Sequence, residues 1–203
     1  MSQPAVIFDL GKVLVDFDYS IAERKIAARS TKSPRELHSF LGSSPLLVEY
    51  ESGRLNRAEF YEAVRTAIGF QGSQEEFGGY FADIFSEMPA IIALHARLRR
   101  EGFKTYIFSN TNDLAIEHIR NNFPFFAHFD GYIFSYEVRS MKPQPAIYAA
   151  MEKLCGRGGT DLVYIDDRPE NIAGGAARGW RTVLHSSASE TVAALVEFGL
   201  PVE

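Results

Sequence analysis

Cysteine is almost missing from this sequence: Cys155 stands alone among 203 residues. A single cysteine excludes an internal disulfide and any metal site built on several thiolates. It follows Met151 and Leu154 in an apolar helical pattern, so a small buried side chain is the expectation. Long apolar runs are missing too, and none approaches the length that a membrane-spanning helix needs. No basic, apolar leader precedes the first strand at Ala5, so a cytoplasmic setting is expected. Positive charge is in deficit: 21 Lys and Arg face 26 Asp and Glu, for a formal net charge of −5. The densest basic stretch, Arg97 to Arg100, shares a helical pattern with Leu94 and Leu98 and reads as a solvated face. That balance gives no footprint for nucleic acid. The histidines (His38, His95, His118, His128 and His185) are scattered without metal-ligand spacing and are expected on helix surfaces or loops. Nothing in the pattern points to a membrane or to a protein partner.

What is present is ample material for a core, with 46% hydrophobic and 23% charged residues. Ala5-Val-Ile-Phe8 is apolar without alternation, as in a parallel strand covered on both faces, and it runs straight into Asp9 and a turn at Gly11. From about Ser20 to Met88 no strand is apparent. Helix starts recur instead: Ser20-Ile-Ala-Glu23, Ser33-Pro-Arg-Glu36 and Ser73-Gln-Glu-Glu76 fit the capping box. Another helix starts at Asn56 and Glu59, carries Phe60, Val64, Ala67 and Ile68 on one face, and stops at Gly69. A short one spans Pro45 to Tyr50.

From Pro89 the chain alternates. Helical patterns separate Thr105–Phe108, Tyr132–Phe134, Leu162–Ile165 and Thr182–Leu184, and Phe123, Phe125, Phe126 and Phe129 are expected to pack under the second of these runs. Strands alternating with helices build right-handed βαβ units and a parallel sheet. The expected fold is therefore α/β: a Rossmann-like, doubly wound parallel sheet from residues 1–17 and 89–203. A helical cap, residues 18–88, is inserted after the first strand.

In such a sheet the carboxyl ends of all strands lie along one edge. Asp9, Ser109, Asn110, Asp166 and Asp167 can therefore meet in one crevice, and Lys142 can reach it from the loop beyond Ser135. Several carboxylates make a hard, oxygen-rich site suited to Mg²⁺. A hydroxyl, main-chain amides and a lysine suit a phosphoryl group. The competing roles are local: Ser109 and Asn110, or Asp166 and Asp167, could cap the helices that follow them.

Four motifs in order (FDLGKVL, IFSNTN, the lysine of MKPQPAIY, and VYIDDRPENIAGG) carry a resemblance to the haloacid dehalogenase superfamily. Most members are Mg²⁺-dependent phosphatases with a helical cap after the first strand. The chain looks most like bacterial sugar-phosphate phosphatases and the phosphatase domain of soluble epoxide hydrolase. The resemblance implies that Asp9 is the nucleophile and a metal ligand. It implies that Ser109 and the Asn110 amide hold the phosphoryl group, and that Lys142 pairs with both. Asp167 matches the acidic metal ligand, with Asp166 beside it and Asn171 in support, and the Gly11 main-chain carbonyl matches a further ligand. The implied substrate is a small phosphorylated metabolite. Tyr50, Arg54 and Arg57, with Arg24 and Lys25 behind them, are the candidate cap contacts.

One departure stands out. Most phosphatases of the superfamily carry a second Asp two residues after the nucleophile, as general acid and base; here that position is Gly11. Such a group contributes about 10²- to 10⁴-fold to rate. Three readings fit: a phosphatase in which Asp16, Asp18, a cap residue or water supplies the proton; a metal-independent 2-haloacid dehalogenase; or a binding or regulatory protein that has lost turnover. A phosphatase weakened in water activation would accumulate aspartyl phosphate and show a burst of leaving group.

Overall fold

The computed structural model describes residues 3–202. Strand β1 (Ala5–Phe8) is buried along its whole length. After the loop that holds Asp9 and Gly11, β2 (Val15–Phe17) leads to α1 (Tyr19–Ala27), α2 (Pro34–Ser43), α3 (Pro45–Glu51), α4 (Arg57–Ile68) and α5 (Gln74–Ala82). Strand β3 (Phe85–Glu87) then returns antiparallel to β2, with Asp16 opposite Ser86. Strand β3 corrects the reading of a strand-free stretch from about Ser20 to Met88; at three residues each, β2 and β3 are too short to carry a periodic signal.

The remaining elements alternate. They are α6 (Pro89–Arg100), β4 (Thr105–Ser109), α7 (Asp113–Asn122), β5 (Gly131–Phe134), α8 (Ser135–Val138) and α9 (Pro145–Cys155), then β6 (Leu162–Asp166), α10 (Pro169–Ala176), β7 (Arg181–Leu184) and α11 (Ala188–Glu197). The five strands of the main sheet run parallel in the order β5-β4-β1-β6-β7. The sheet is thus α/β and doubly wound, as expected, with β1 in its centre.

The period of two along each strand splits the core into two layers. Val6, Phe8, Ile107 and Ile165 pack with Leu98 of α6, Ile116 and Ile119 of α7 and Leu195 of α11. Ala5, Ile7, Phe108 and Tyr164 pack with Ile147 and Met151 of α9 and with Trp180. Phe125, Phe126 and Phe129 join the first layer beside Phe134, as the sequence pattern predicts. The helices between β2 and β3 close a separate apolar cluster around Phe60, Phe77, Phe81 and Ile68, to which Leu114 of α7 is the core's contribution.

Local starts follow the expected chemistry in three of four cases. Ser33, Asn56 and Ser73 each form a full capping box with Glu36, Glu59 and Glu76. Ser20 does not: Asp18 is the cap of α1, and its carboxylate accepts from the Ser20 N–H at 2.9 Å. Cys155 is only half-buried and Leu154 is exposed, against the expectation of a buried side chain at Cys155. Two histidines are internal rather than on the surface. His95 stacks on Phe129 and bonds Thr105 at 3.1 Å, and His185 bonds Thr191 at 2.7 Å.

Candidate active site

The parallel register places the ends of β1, β4 and β6 side by side, with Phe8 opposite Ile107 and Ile165. Asp9 follows β1, Ser109 closes β4 and Asp166 closes β6. Lys142 comes in from the β5–α9 connection and is the hub: its side chain is 1% exposed. Its Nζ donates to the Phe108 carbonyl at 2.8 Å, to Asp166 Oδ2 at 2.6 Å and, as an ion pair, to Asp9 Oδ1 at 2.9 Å. Removing Asp166, the shorter contact, would leave the buried lysine poorly compensated, at a cost of about 3–5 kcal/mol. Asn110 locks the lysine's backbone in place, accepting from the Lys142 N–H at 2.8 Å and donating to the Lys142 carbonyl at 3.0 Å.

The two strand-end carboxylates differ because their partners differ. Asp166 is fully buried, and beyond Lys142 it accepts from the Tyr164 hydroxyl, the Arg168 N–H at 2.8 Å and the Asn171 side chain at 3.0 Å. Burial works against its charge, but Lys142 and these donors outweigh burial and hold the carboxyl below the usual carboxylate range. Burial pushes the Asp9 carboxyl up to about 7 despite the pull of Lys142, and the nearby Asp166 charge adds to the rise. Asp167, half-buried, is raised by burial and by Asp166. Carboxylate oxygens of Asp9, Asp166 and Asp167 all lie within 4.8 Å of one another. Three carboxylates against one lysine is an excess of negative charge that a hard divalent cation would neutralise. Asp166 spends its lone pairs on Lys142, Tyr164, Asn171 and Arg168, whereas Asp9 and Asp167 face the cavity. Asn171, buried, supports Asp166 as anticipated.

Ser109, Asn110, Gly11 and Lys12 line the same cavity, which has a volume of about 270 Å³. That is room for a small metabolite. Gly11 is crowded rather than strained: a Cβ there would lie 3.0 Å from the Phe17 ring edge. Lys12 stands over that ring, 4.4 Å from its centroid, and pairs with Asp16. Asp16 is therefore occupied by Lys12 and by the Phe17 N–H, and Asp18 by the start of α1. Neither lines the cavity.

The expected cap contacts are also redirected. The Tyr50 hydroxyl bonds Asp113, and Arg57 pairs with Asp113 at 2.8 Å and with Glu117, so both tie the helical insertion to α7. Arg54 pairs with Glu49 at 2.6 Å, Lys25 with Asp83 at 2.6 Å, and Arg24 donates to Ser20 at 2.9 Å. None of these five lines the cavity; the insertion reaches it through Tyr19, Leu47 and Glu51. Glu51, at the end of α3, is partly exposed by surface area yet deeply enclosed, and burial pushes its carboxyl up to about 7 against the attraction of Arg168. Ser135 fastens this point to the core, donating to the Glu51 carbonyl at 2.6 Å and accepting from the Thr111 N–H at 2.9 Å. Among the described residues, no buried side-chain nitrogen or oxygen lacks a partner, which suits a preorganised site.

The fold and site define a Rossmann-like α/β protein whose polar groups gather at the carboxyl edge of a parallel sheet. Residues 4–179 match the family model of the haloacid dehalogenase-like hydrolases, and the chain belongs to that family. Among solved structures, it is similar to a haloacid dehalogenase (HAD) family enzyme of Bacteroides thetaiotaomicron solved with magnesium and inorganic phosphate. The TM-score is 0.81 at 22% identity, over 91% of this chain and 95% of that one. A predicted HAD-like family hydrolase of Porphyromonas gingivalis gives 0.82 at 21% identity, over 98% of both chains. L-2-haloacid dehalogenase of Xanthobacter autotrophicus gives 0.65 at 17% identity, over 98% of this chain and 84% of that one. At these identities the likeness is one of fold. No helix among the described residues is long and apolar enough to cross a membrane.

Proposed function

We propose that this hydrolase is a Mg²⁺-dependent phosphatase of a small phosphorylated metabolite, with a sugar phosphate favoured. In this reading residues 1–17 and 89–203 form the catalytic core and residues 18–88 a cap over its edge. The observation that carries the reading is the buried Lys142 bridging Asp9 and Asp166, with Asp167 completing a carboxylate cluster beside a cavity-lining Ser109. The magnesium and phosphate bound by the Bacteroides enzyme add support.

Asp9, Asp167 and the Gly11 carbonyl would hold the cation, and Asp166 would chiefly hold Lys142. Bound there, Mg²⁺ would supply charge neutralisation for Asp9 and for the phosphoryl oxygens. Asp9 attacks phosphorus with the oxygen left free of Lys142, giving an aspartyl phosphate and releasing the leaving group. Lys142 faces both the nucleophile and the oxygens in transfer, so it offsets the charge that builds during the step. Ser109 and the Asn110 N–H orient the phosphoryl group, and Asn110 also fixes Lys142. The insertion narrows the cavity around the leaving group and limits water.

Dehalogenation needs no metal, and the carboxylate cluster speaks against it: without a cation, Asp9 and Asp167 both sit above their ordinary proton affinities. The test is phosphate release from phosphorylated sugars and nucleotides with Mg²⁺, beside chloride release from 2-haloacids without it. Multiple turnovers of phosphate release, lost in Asp9→Asn, support the proposal. Metal-free halide release, or no turnover of any phosphate ester, overturns it.

A further inference from the structure

The phosphatase reading leaves a chemical gap. Its first step expels an alkoxide and its second needs an activated water, yet position 11, two residues past the nucleophile, is a glycine walled by Phe17. Asp16 and Asp18, the nearest carboxylates in sequence, are tied to Lys12 and to the start of α1. Apart from the Asp9 and Asp167 carboxylates already assigned, one acid lines the cavity: Glu51, at the end of α3.

We propose that Glu51 is the general acid and base of this enzyme, supplied by the helical insertion in place of the residue missing at position 11. This rests on the phosphatase reading. Three observations converge on it. Glu51 lines the cavity with Asp9, Ser109 and Lys142. Its main chain is pinned to the core by Ser135 Oγ at 2.6 Å, and α3 ends against α8 so closely that a Cβ on Gly53 would fall 2.2 Å from the Tyr136 carbonyl. Its carboxyl receives no hydrogen bond from the described residues; Arg168 and Tyr19 are the charged or titratable groups that feel it. Arg168 itself is engaged with Glu170 at 2.5 Å. A free carboxyl with a proton affinity near neutrality is what acid–base work at physiological pH requires.

The step balances. As Asp9 attacks, the bond from phosphorus to the leaving oxygen breaks, and the proton of the Glu51 acid passes to that oxygen, giving an alcohol and the Glu51 carboxylate. Water then attacks the phosphorus of the aspartyl phosphate while Glu51 takes its proton. The phosphorus–Asp9 bond breaks, its electron pair returns to the Asp9 carboxylate, and inorganic phosphate leaves with the Glu51 acid restored.

The test compares wild-type protein, Glu51→Gln and Glu51→Ala with Mg²⁺ on two substrates: p-nitrophenyl phosphate, whose leaving group needs no proton, and an alkyl or sugar phosphate, whose leaving group does. Glu51→Gln is expected to lose about 10²- to 10⁴-fold in kcat on the alkyl ester. On the nitrophenyl ester it should show a burst and a trapped phosphoprotein that wild-type protein lacks. The alkaline limb of the wild-type kcat/KM profile on the alkyl ester should vanish, and formate should restore turnover to Glu51→Ala. Wild-type pH dependence, wild-type discrimination between the two esters and no trapped phosphoprotein in Glu51→Gln would overturn the assignment of Glu51 alone. Failure of wild-type protein to turn over either ester would overturn the phosphatase reading beneath it.

Discussion

Asp9→Asn should make the metal-free protein more stable at pH 8 and leave it nearly unchanged at pH 4. The unfolded Asp9 carboxyl titrates near 3.8, while burial lifts the folded one to about 7. An acid whose proton is held more tightly in the folded state costs stability as pH rises from the unfolded value through the folded one. The whole cost is therefore present above about pH 7, more than a third of it remains at about pH 5, and little is left below about pH 4. At about 1.4 kcal/mol for each tenfold change in proton affinity, the ceiling is about 4 kcal/mol. Lys142 couples Asp9 to Asp166, so roughly half that ceiling is the working expectation. Asparagine keeps an oxygen for Lys142 and for the Leu10 N–H, which lies 2.7 Å from Asp9 Oδ1, so the swap removes charge and little else. For a chain of this size about 1 kcal/mol moves Tm by about 2–4 °C. Thermal unfolding in EDTA should thus show Asp9→Asn melting about 5 °C above wild-type protein at pH 8, with the gap narrowing at pH 5 and closing near pH 4. Saturating Mg²⁺ should raise wild-type protein more than the variant. A variant equal to or below wild-type protein at pH 8 in EDTA, or a gap that ignores pH, would refute the electrostatic reasoning.

Other perturbations test separate parts of the account. Asp167→Asn should raise the Mg²⁺ concentration needed for half-maximal phosphate release by at least about tenfold, in the range that loss of one metal-orienting group gives; an unchanged Mg²⁺ titration would remove Asp167 from the metal site. Gly11→Asp should cost about 1–3 kcal/mol in urea unfolding because the Phe17 edge lies 3.0 Å from the new Cβ. Adding Phe17→Leu should recover part of that cost, and strict additivity of the two changes would contradict the clash. Ser135→Ala, which strands the Thr111 N–H and frees the Glu51 carbonyl, should lower stability by about 1–3 kcal/mol and raise KM. Tyr50→Phe breaks the bond to Asp113 outside the cavity, so kcat should stay within about twofold while stability falls by about 1 kcal/mol.

The elements that organise the site were readable because their physics is local. An unbroken apolar run marks a strand covered on both faces, and β1, β4 and β6 all carry one. Ser33, Asn56 and Ser73 satisfy free helix N–H groups within four residues, so their helices announce their own starts. The gathering of Asp9, Ser109, Lys142 and Asp167 followed from parallel topology, since one sheet edge collects every strand end. What escaped depended on partners distant in sequence. Strands β2 and β3 exist because they pair across the whole insertion, and neither Val15–Phe17 nor Phe85–Glu87 alternates long enough to declare itself. Tyr50 and Arg57 had the side chains of ligand contacts, but Asp113 and Glu117 on α7 claim them. Glu51 reads as an ordinary surface acid in EYESG; only the docking of α3 onto α8 turns it toward the strand ends. Asp16 and Asp18 looked available because proximity in sequence says nothing of Lys12 or the α1 cap.

The central claim is that Asp9 takes a phosphoryl group from a small ester and passes it to water. The most direct measurement is peptide mass spectrometry of protein quenched in acid during turnover of p-nitrophenyl phosphate with Mg²⁺, using Glu51→Gln to slow the second step. The account predicts one phosphoryl group on the peptide that contains Asp9, absent without Mg²⁺ and absent from the double variant that also carries Asp9→Asn. Turnover with no phosphoryl group on that peptide, or a phosphoryl group that survives Asp9→Asn, would contradict it.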